Sequence, residues 1–363
     1  MPDFIPGLQL SEMFFREVVE PTLKTRFPSL VYAAARLGYG SEVLGFDDEM
    51  SRDHDWGPRL TLFLPDDILE TEKPKIDEVL RNGLPHQFRG YPTNWSLPHE
   101  DQTWALVEST EGQVNHRVEI TSIRGFLLEY TGFDIVGELT LTDWLTFPQQ
   151  KLLGITAGKI FHDNVELKAV REYFSWYPQD VWLYLLASVW QRIGQEEHLM
   201  GRAGEAGSEI GSFLIASRLV RDIMRLCFLM EKRYAPYPKW FGQAFAQLKS
   251  SEELTPILDN VLQSKTWQAR DQWLTRAYKI SVNIFNTLGI LDKMPEKAQS
   301  FYNRPFHVIW GGSIAIRIYH KIQDLSIKRI STRSFIGNID LLSDNTDLLE
   351  DPLFRGGLRH LFP

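Results

Sequence analysis

Residues 37–64 read LGYGSEVLGFDDEMSRDHDWGPRLTLFL, and the order of residue types in them decides the expected fold. Gly40 and Ser41 form a Gly-Ser pair. After eleven intervening residues comes an Asp-x-Asp, Asp53 and Asp55, directly ahead of an apolar run from Leu60 to Leu64. Gly57-Pro58 and Pro65-Asp66-Asp67 bound that run, which marks it as a strand. On extended backbone, two carboxylates one residue apart project to the same side. Asp53 and Asp55 could then grip a hard cation together, and Mg²⁺ suits the pair because it takes a few carboxylates plus phosphate oxygens. Taken alone, an Asp-x-Asp could equally cap a turn before a strand.

Upstream, LVYAAARLGYGS reads as a first strand entering the Gly-Ser turn, and residues 8–26 as a helix on the spacing of Leu10, Phe14, Val18 and Leu23. Glycine lets backbone approach a phosphate closely, the Ser41 hydroxyl can donate, and a following helix N-terminus favours anions. Arg52 and Arg59 bracket the Asp-x-Asp. Each could contact phosphate, and Arg59 is expected to pair with the two aspartates and orient them. Strand alternation would point His54 to the opposite side, as a packed or hydrogen-bonded histidine. Asp47, Asp48 and Glu49 read as a solvated face or a helix start.

Downstream, KPKIDEVLRNGL is helical and residues 85–98 form a long ordered loop. Strand character returns at 104–107 and 115–123. In NHRVEITSI, Val118 and Ile120 alternate with Arg117, Glu119 and Thr121, which puts Glu119 on the polar face of a strand. Glu129 and Asp134 are weaker rivals, beyond the core-helix start GFLLEY.

Gly-Ser followed about ten residues later by Asp-x-Asp resembles the signature of the DNA polymerase beta-like nucleotidyltransferases, which include aminoglycoside adenylyltransferases and the minimal nucleotidyltransferase antitoxins. More narrowly, GSEVLGFDDEMSRDHDWGPRLTLFL and the tail stretch FIGNIDLLSDNTDLLEDP resemble the uncharacterised domain-of-unknown-function family 4037. The likeness runs from Tyr32 to Pro352.

The resemblance implies an α+β fold: a mixed-sheet nucleotidyltransferase domain over 1–140, a linker and small hairpin over 141–165, and an all-α helical bundle over 166–363. Asp53, Asp55 and Glu119 would be the metal-binding catalytic carboxylates, Glu119 also taking the proton of the attacking hydroxyl. Gly40, Ser41, Arg52 and Lys239 would hold the nucleotide, Lys239 as the lysine that grips ATP phosphates. Mg²⁺ is the implied cofactor, ATP the implied co-substrate, and a small molecule or protein the implied acceptor. The eleven-residue spacer departs from the commoner ten by what one added loop residue explains. A nucleotide-binding module that has lost transfer and a hydrolase using the same metals remain as alternatives.

In the second half, Val165–Trp176 and Val181–Leu199 read as helices, and Gly201, Gly204, Gly207 and Gly211 keep one face nearly bare, for close helix packing or for a substrate channel. A strong amphipathic helix over 210–234, two helices over 254–264 and 267–291, and one after Gly311-Gly312 complete the bundle. His162 and Asp163 lack further ligands at a metal-binding spacing. The 363 residues exceed one typical core, 43% are hydrophobic and 24% charged, as in an ordinary soluble protein. A net charge of -8 argues against nucleic-acid binding through surface charge. The single cysteine, Cys227, excludes an internal disulfide, and the sequence shows no secretory signal or membrane span, so the cytoplasm is the simplest compartment.

Overall fold

The computed structural model describes residues 3–100, 103–134 and 137–362. The architecture is α+β, in two compact units: residues 1–138 with 151–175, and residues 139–150 with 176–363.

The first unit holds strands β1 (Ala33–Arg36), β2 (Arg59–Phe63), β3 (Gln87–Phe88), β4 (Tyr91–Pro92), β5 (Arg117–Thr121) and β6 (Lys159–Asp163). Four of them form a mixed sheet in the order β5-β2-β1-β6. β2 runs parallel to β5 and antiparallel to β1, and β1 antiparallel to β6. Alternation sorts the side chains by face. Ala34, Leu60, Leu62, Val118, Ile120 and Phe161 join a core with Leu10, Phe14 and Val19 of the first helix and Ile76 and Leu80 of the helix Asp66–Gly83. Ala33, Ala35 and Phe63 face the other way, towards Leu37, Leu167 and Phe126. β2 is buried at all five positions because it is covered on both faces.

The first helix runs without a break from Gly7–Phe14 through a π-helical turn, Phe15–Val19, to Glu20–Arg26. Pro21 has no N–H to return to the preceding turn, and the wider π turn sits where the ladder would lose that bond. The helix after β2 starts at Asp66, ahead of the apolar periodicity, with Asp66 and Asp67 in its first turn where the dipole favours carboxylates. The 85–98 loop contains the small β3-β4 ladder. Residues 104–107 supply only one bridge, Trp95 to Leu106, in place of the expected strand.

The small hairpin expected within 141–165 is corrected. Gly158, at φ +70, turns the chain from the helix Gln149–Thr156 into β6, which pairs along β1 with one bulge at Ala34/Ala35. β1 would otherwise be an open edge, and KIFHD covers it while burying Phe161. The expected 141–165 linker is therefore divided between the two units, and the helix Leu167–Tyr173 belongs to the first.

The second unit contains the helices Gln179–Glu205, Glu209–Met230, Pro238–Phe245, Ser251–Gln263, Trp267–Thr287, Gly311–Tyr319 and Leu325–Arg333. Its glycines serve packing. A Cβ at Gly201 would stand 2.6 Å from Phe306 Cβ, and one at Gly204 would strike the Trp267 ring. Gly207, at φ +87, makes the turn between the two longest helices. At Gly194 the helix 179–205 meets the backbone of Gly311 and Gly312. Gly194→Ala is therefore expected to lower stability by about 1–3 kcal/mol, the usual cost of overpacking, read by urea unfolding. A change within the error of the measurement would show that the 311–319 helix slides freely. Among the described residues no helix is long and apolar enough to cross a membrane.

Candidate functional site

β1 ends at Arg36, and the chain turns through Gly38 and Gly40 into the one-turn helix Ser41–Leu44. Gly40 sits at φ +126, and a Cβ there would run into the Glu42 carboxylate, so both backbone conformation and space demand glycine. Glu42 is 2% exposed. Its Oε1 accepts from Arg36 Nε at 2.9 Å and from Arg59 Nε and Nη2 at 3.0 and 2.7 Å. Arg36 also donates to the carbonyls of Leu37, at 2.6 Å, and Tyr39. Burial alone would raise the Glu42 pKa, but Arg59 and Arg36 outweigh it and hold the carboxyl below its ordinary value. A buried Arg-Glu-Arg triad thus locks the Gly-Ser turn onto β1 and β2.

Arg59 was expected to orient Asp53 and Asp55, and it is committed to Glu42 instead. The sequence did carry a signal for the triad. An arginine closing an all-alanine strand needs a buried counter-charge, and Glu42 follows the Gly-Ser pair directly.

The Asp-x-Asp does not lie on extended backbone. Asp53 is the last residue of the 3₁₀ helix Glu49–Asp53, and Asp55 has φ +47, in the left-handed region that aspartate tolerates. Same-side alternation therefore fails here. Asp53, with its side chain 63% exposed, accepts the His54 N–H at 2.9 Å, and its Oδ1 lies 2.9 Å from His54 Nδ1. His54 is hydrogen-bonded, as expected, but towards Asp53 rather than away from it. The Asp55 N–H donates to the Trp104 carbonyl at 2.7 Å. Asp48 caps the 3₁₀ helix in a capping box with Ser51, whereas Asp47 Oδ2 accepts from Gly7 N at 2.6 Å and Trp56 Nε1 at 2.9 Å, tying the loop to the first helix.

Glu119 sits in mid-β5 as alternation requires, its side chain 55% exposed between buried Val118 and Ile120. The parallel register sets Arg59 beside Arg117 and Thr61 beside Glu119. Arg117 Nη2 lies 3.2 Å from Glu119 Oε1, with the guanidinium 4.4 Å over the Trp104 ring. Burial lowers the Arg117 pKa, Glu119 opposes that, Arg59 adds to it, and Asp55 opposes it again. Asp55 and Glu119 are thus both within electrostatic reach of Arg117, while Asp53 is turned onto His54.

Arg52 Nη2 lies 3.8 Å from Glu49 Oε1, and its guanidinium is 5.8 Å over the Phe4 ring. Lys239 lies in the second unit with its Nζ 4.7 Å over the Trp240 ring. Inside the first unit stands a lysine the sequence reading passed over. Lys151 is 2% exposed, with its ammonium 4.3 and 4.5 Å over the rings of Tyr39 and Tyr130 and bonded to the Tyr39 hydroxyl, next to Gly40 in the chain turn. Asp163, the last residue of β6, accepts from the backbone N–H groups of Val165, Leu167 and Lys168 at the start of the helix Leu167–Tyr173. Asp134 pairs with Arg124.

Three carboxylates have the right chemistry for Mg²⁺. Their placement does not fit a ready site: among the described residues no group of three or more His, Cys, Asp or Glu side chains is arranged to hold a metal ion.

A family model described as "Domain of unknown function (DUF4037)" matches residues 144–241. Over that segment the chain is similar to the same family that residues 40–64 and the tail resemble. The matched segment lies downstream of the Gly-Ser and Asp-x-Asp stretch and includes β6 and the two longest helices. No curated protein matches the chain.

Proposed function

We propose that the chain is a Mg²⁺-dependent nucleotidyltransferase of the polymerase beta-like kind, moving a nucleoside monophosphate, AMP from ATP, to a hydroxyl of a small-molecule or protein acceptor. The observation that carries this reading is the Gly40–Ser41 turn, locked by Glu42 to the strand whose parallel neighbour presents Glu119. A fixed turn with glycine at its close approach suits phosphate, and the carboxylates Asp55 and Glu119 both lie within electrostatic reach of Arg117. Arg52 would be a further phosphate contact. The reading takes Mg²⁺ as cofactor at Asp53, Asp55 and Glu119, and it requires Asp53 to leave His54 and Glu119 to leave Arg117 when nucleotide enters.

Those two ties favour a second reading, a nucleotide-binding module without transfer. Calorimetry with ATP, GTP, CTP and UTP, with and without Mg²⁺, separates the two on wild type and on the Asp53→Ala, Asp55→Ala double variant. Mg²⁺-dependent binding of one nucleotide, lost in the variant, is the expected result. Binding indifferent to both Mg²⁺ and the variant selects the module. Absence of binding by folded protein sinks both readings.

A further inference from the structure

In the second unit, a short segment runs through the helical turn Ile339–Leu342 and Asp344 into Thr346–Glu350. The Asp344 side chain is 60% exposed, yet Arg221 Nη1 donates to it at 2.7 Å and Arg225 Nη2 at 3.2 Å. The two arginines lie one turn apart on the helix 209–230, so their guanidinium groups share a face. Behind them Asp222, fully buried, accepts from Arg192 Nε at 2.8 Å, and Arg192 Nη1 donates to the Leu341 carbonyl at 2.7 Å.

The hydrogen bonds in this cluster do not close. Arg221 Nε, Arg225 Nη1 and Asp222 Oδ1 are buried without a hydrogen-bond partner, the last two facing each other as an ion pair at 3.8 Å, too long for a hydrogen bond. Buried guanidinium donors left unmade are costly, and a group with more acceptor oxygens than one carboxylate would satisfy them. Charge points the same way. Arg192, Arg221 and Arg225 face Asp222, Asp340 and Asp344; with Asp344 withdrawn the cluster is net positive.

A cavity of about 670 Å³ adjoins the cluster, lined by Arg192, Gln191, Gln195 and Ser334, and also by Leu341 and Leu342 of the segment that carries Asp344. Moving that segment would move a wall of the cavity.

We propose that Arg221 and Arg225 form a binding site for a phosphoryl group, in which Asp344 is the resident internal ligand and is displaced when the phosphoryl group enters. The site lies wholly in the second unit and stands independently of the nucleotidyl-transfer reading.

Inorganic phosphate is the probe, titrated calorimetrically into the full chain at constant ionic strength. An internal competitor lowers apparent affinity by the fraction of time it fills the site, so Asp344→Asn is expected to bind phosphate at least about fivefold more tightly than wild type. Adding Arg221→Gln to Asp344→Asn is expected to remove the gain. In wild type, phosphate is expected to speed amide exchange across residues 339–345. Circular dichroism checks that the exposed-site variants remain folded. Equal affinity of Asp344→Asn and wild type, a gain that survives Arg221→Gln, or unchanged exchange with phosphate bound would each overturn the proposal.

Discussion

Glu42→Ala is expected to destabilise the first unit by about 3–5 kcal/mol, the usual cost of removing one partner from a buried ion pair. The variant would leave Arg36 and Arg59, 6% and 7% exposed, beside each other without the carboxylate that both use. The loss is larger than the missing hydrogen bonds alone, because each guanidinium would keep its desolvation penalty. Glu42→Gln should cost less, since its amide oxygen can still accept from one arginine. Urea unfolding followed by tryptophan fluorescence gives the numbers; a loss below about 1 kcal/mol for Glu42→Ala would mean that the arginines escape to water.

The pH dependence follows from the depressed Glu42 pKa. The contribution of the carboxylate is fully present above its ordinary value and is lost as pH falls through the lower folded-state value. Wild type should therefore lose stability in acid more steeply than Glu42→Gln. The same variant should weaken nucleotide binding under the proposed function, because the Gly40 turn loses its brace.

The strands β2 and β5 were readable because burial marks their side chains. Leu60 to Phe63 fall in a strand buried on both faces, and Glu119 alternates with buried neighbours. Helices with wide apolar stripes were equally plain. What escaped were features set by tertiary geometry. β6 is recognisable only once β1 has an open edge for it to cover. The period-two rule misplaced Asp53 and Asp55 because Asp55 takes a left-handed conformation after a capped 3₁₀ turn, which neither residue type forbids. Arg59 was assigned to its nearest acidic neighbours in sequence, and burial selected Glu42, seventeen positions away. The glycine stripe illustrates the limit from the other side. Only Gly201 and Gly204 share a helix, since Gly207 turns the chain and Gly211 lies on the next helix, and only the placement of Phe306 and Trp267 shows what fills the bare face.

Asp143→Ala is expected to release the C-terminal segment from the second unit. Asp143 is 1% exposed; it accepts from Arg355 Nη2 at 3.1 Å, from Arg359 Nε, and from the hydroxyl and amide of Thr140 at 2.7 and 3.0 Å. Burial would raise its pKa, but Arg359 and Thr140, with Arg355 behind them, lower it. Arg355 is itself buried, donates to Thr146 Oγ1 at 3.0 Å, and lies 4.4 Å over the Phe147 ring; desolvation brings its pKa down to about 10. Without Asp143, holding Arg355 in place means burying a cation that has lost its carboxylate, at a cost of about 3–5 kcal/mol. The chain can avoid that cost by letting residues 352–361 swing into solvent, since their own helical turns are only three or four residues long. Limited trypsin digestion with mass spectrometry should then find cuts after Arg355 and Arg359 that wild type resists. Asp143→Asn, whose amide oxygen can still accept from Thr140 and one arginine, should be cut more slowly. Because the Asp143 pKa is depressed, wild type should release the same segment only as pH falls through the folded-state value, where both proteins are compared with one acid-active protease in place of trypsin. Identical digestion of wild type and Asp143→Ala at neutral pH would show that the aromatic contacts of the tail suffice to hold it.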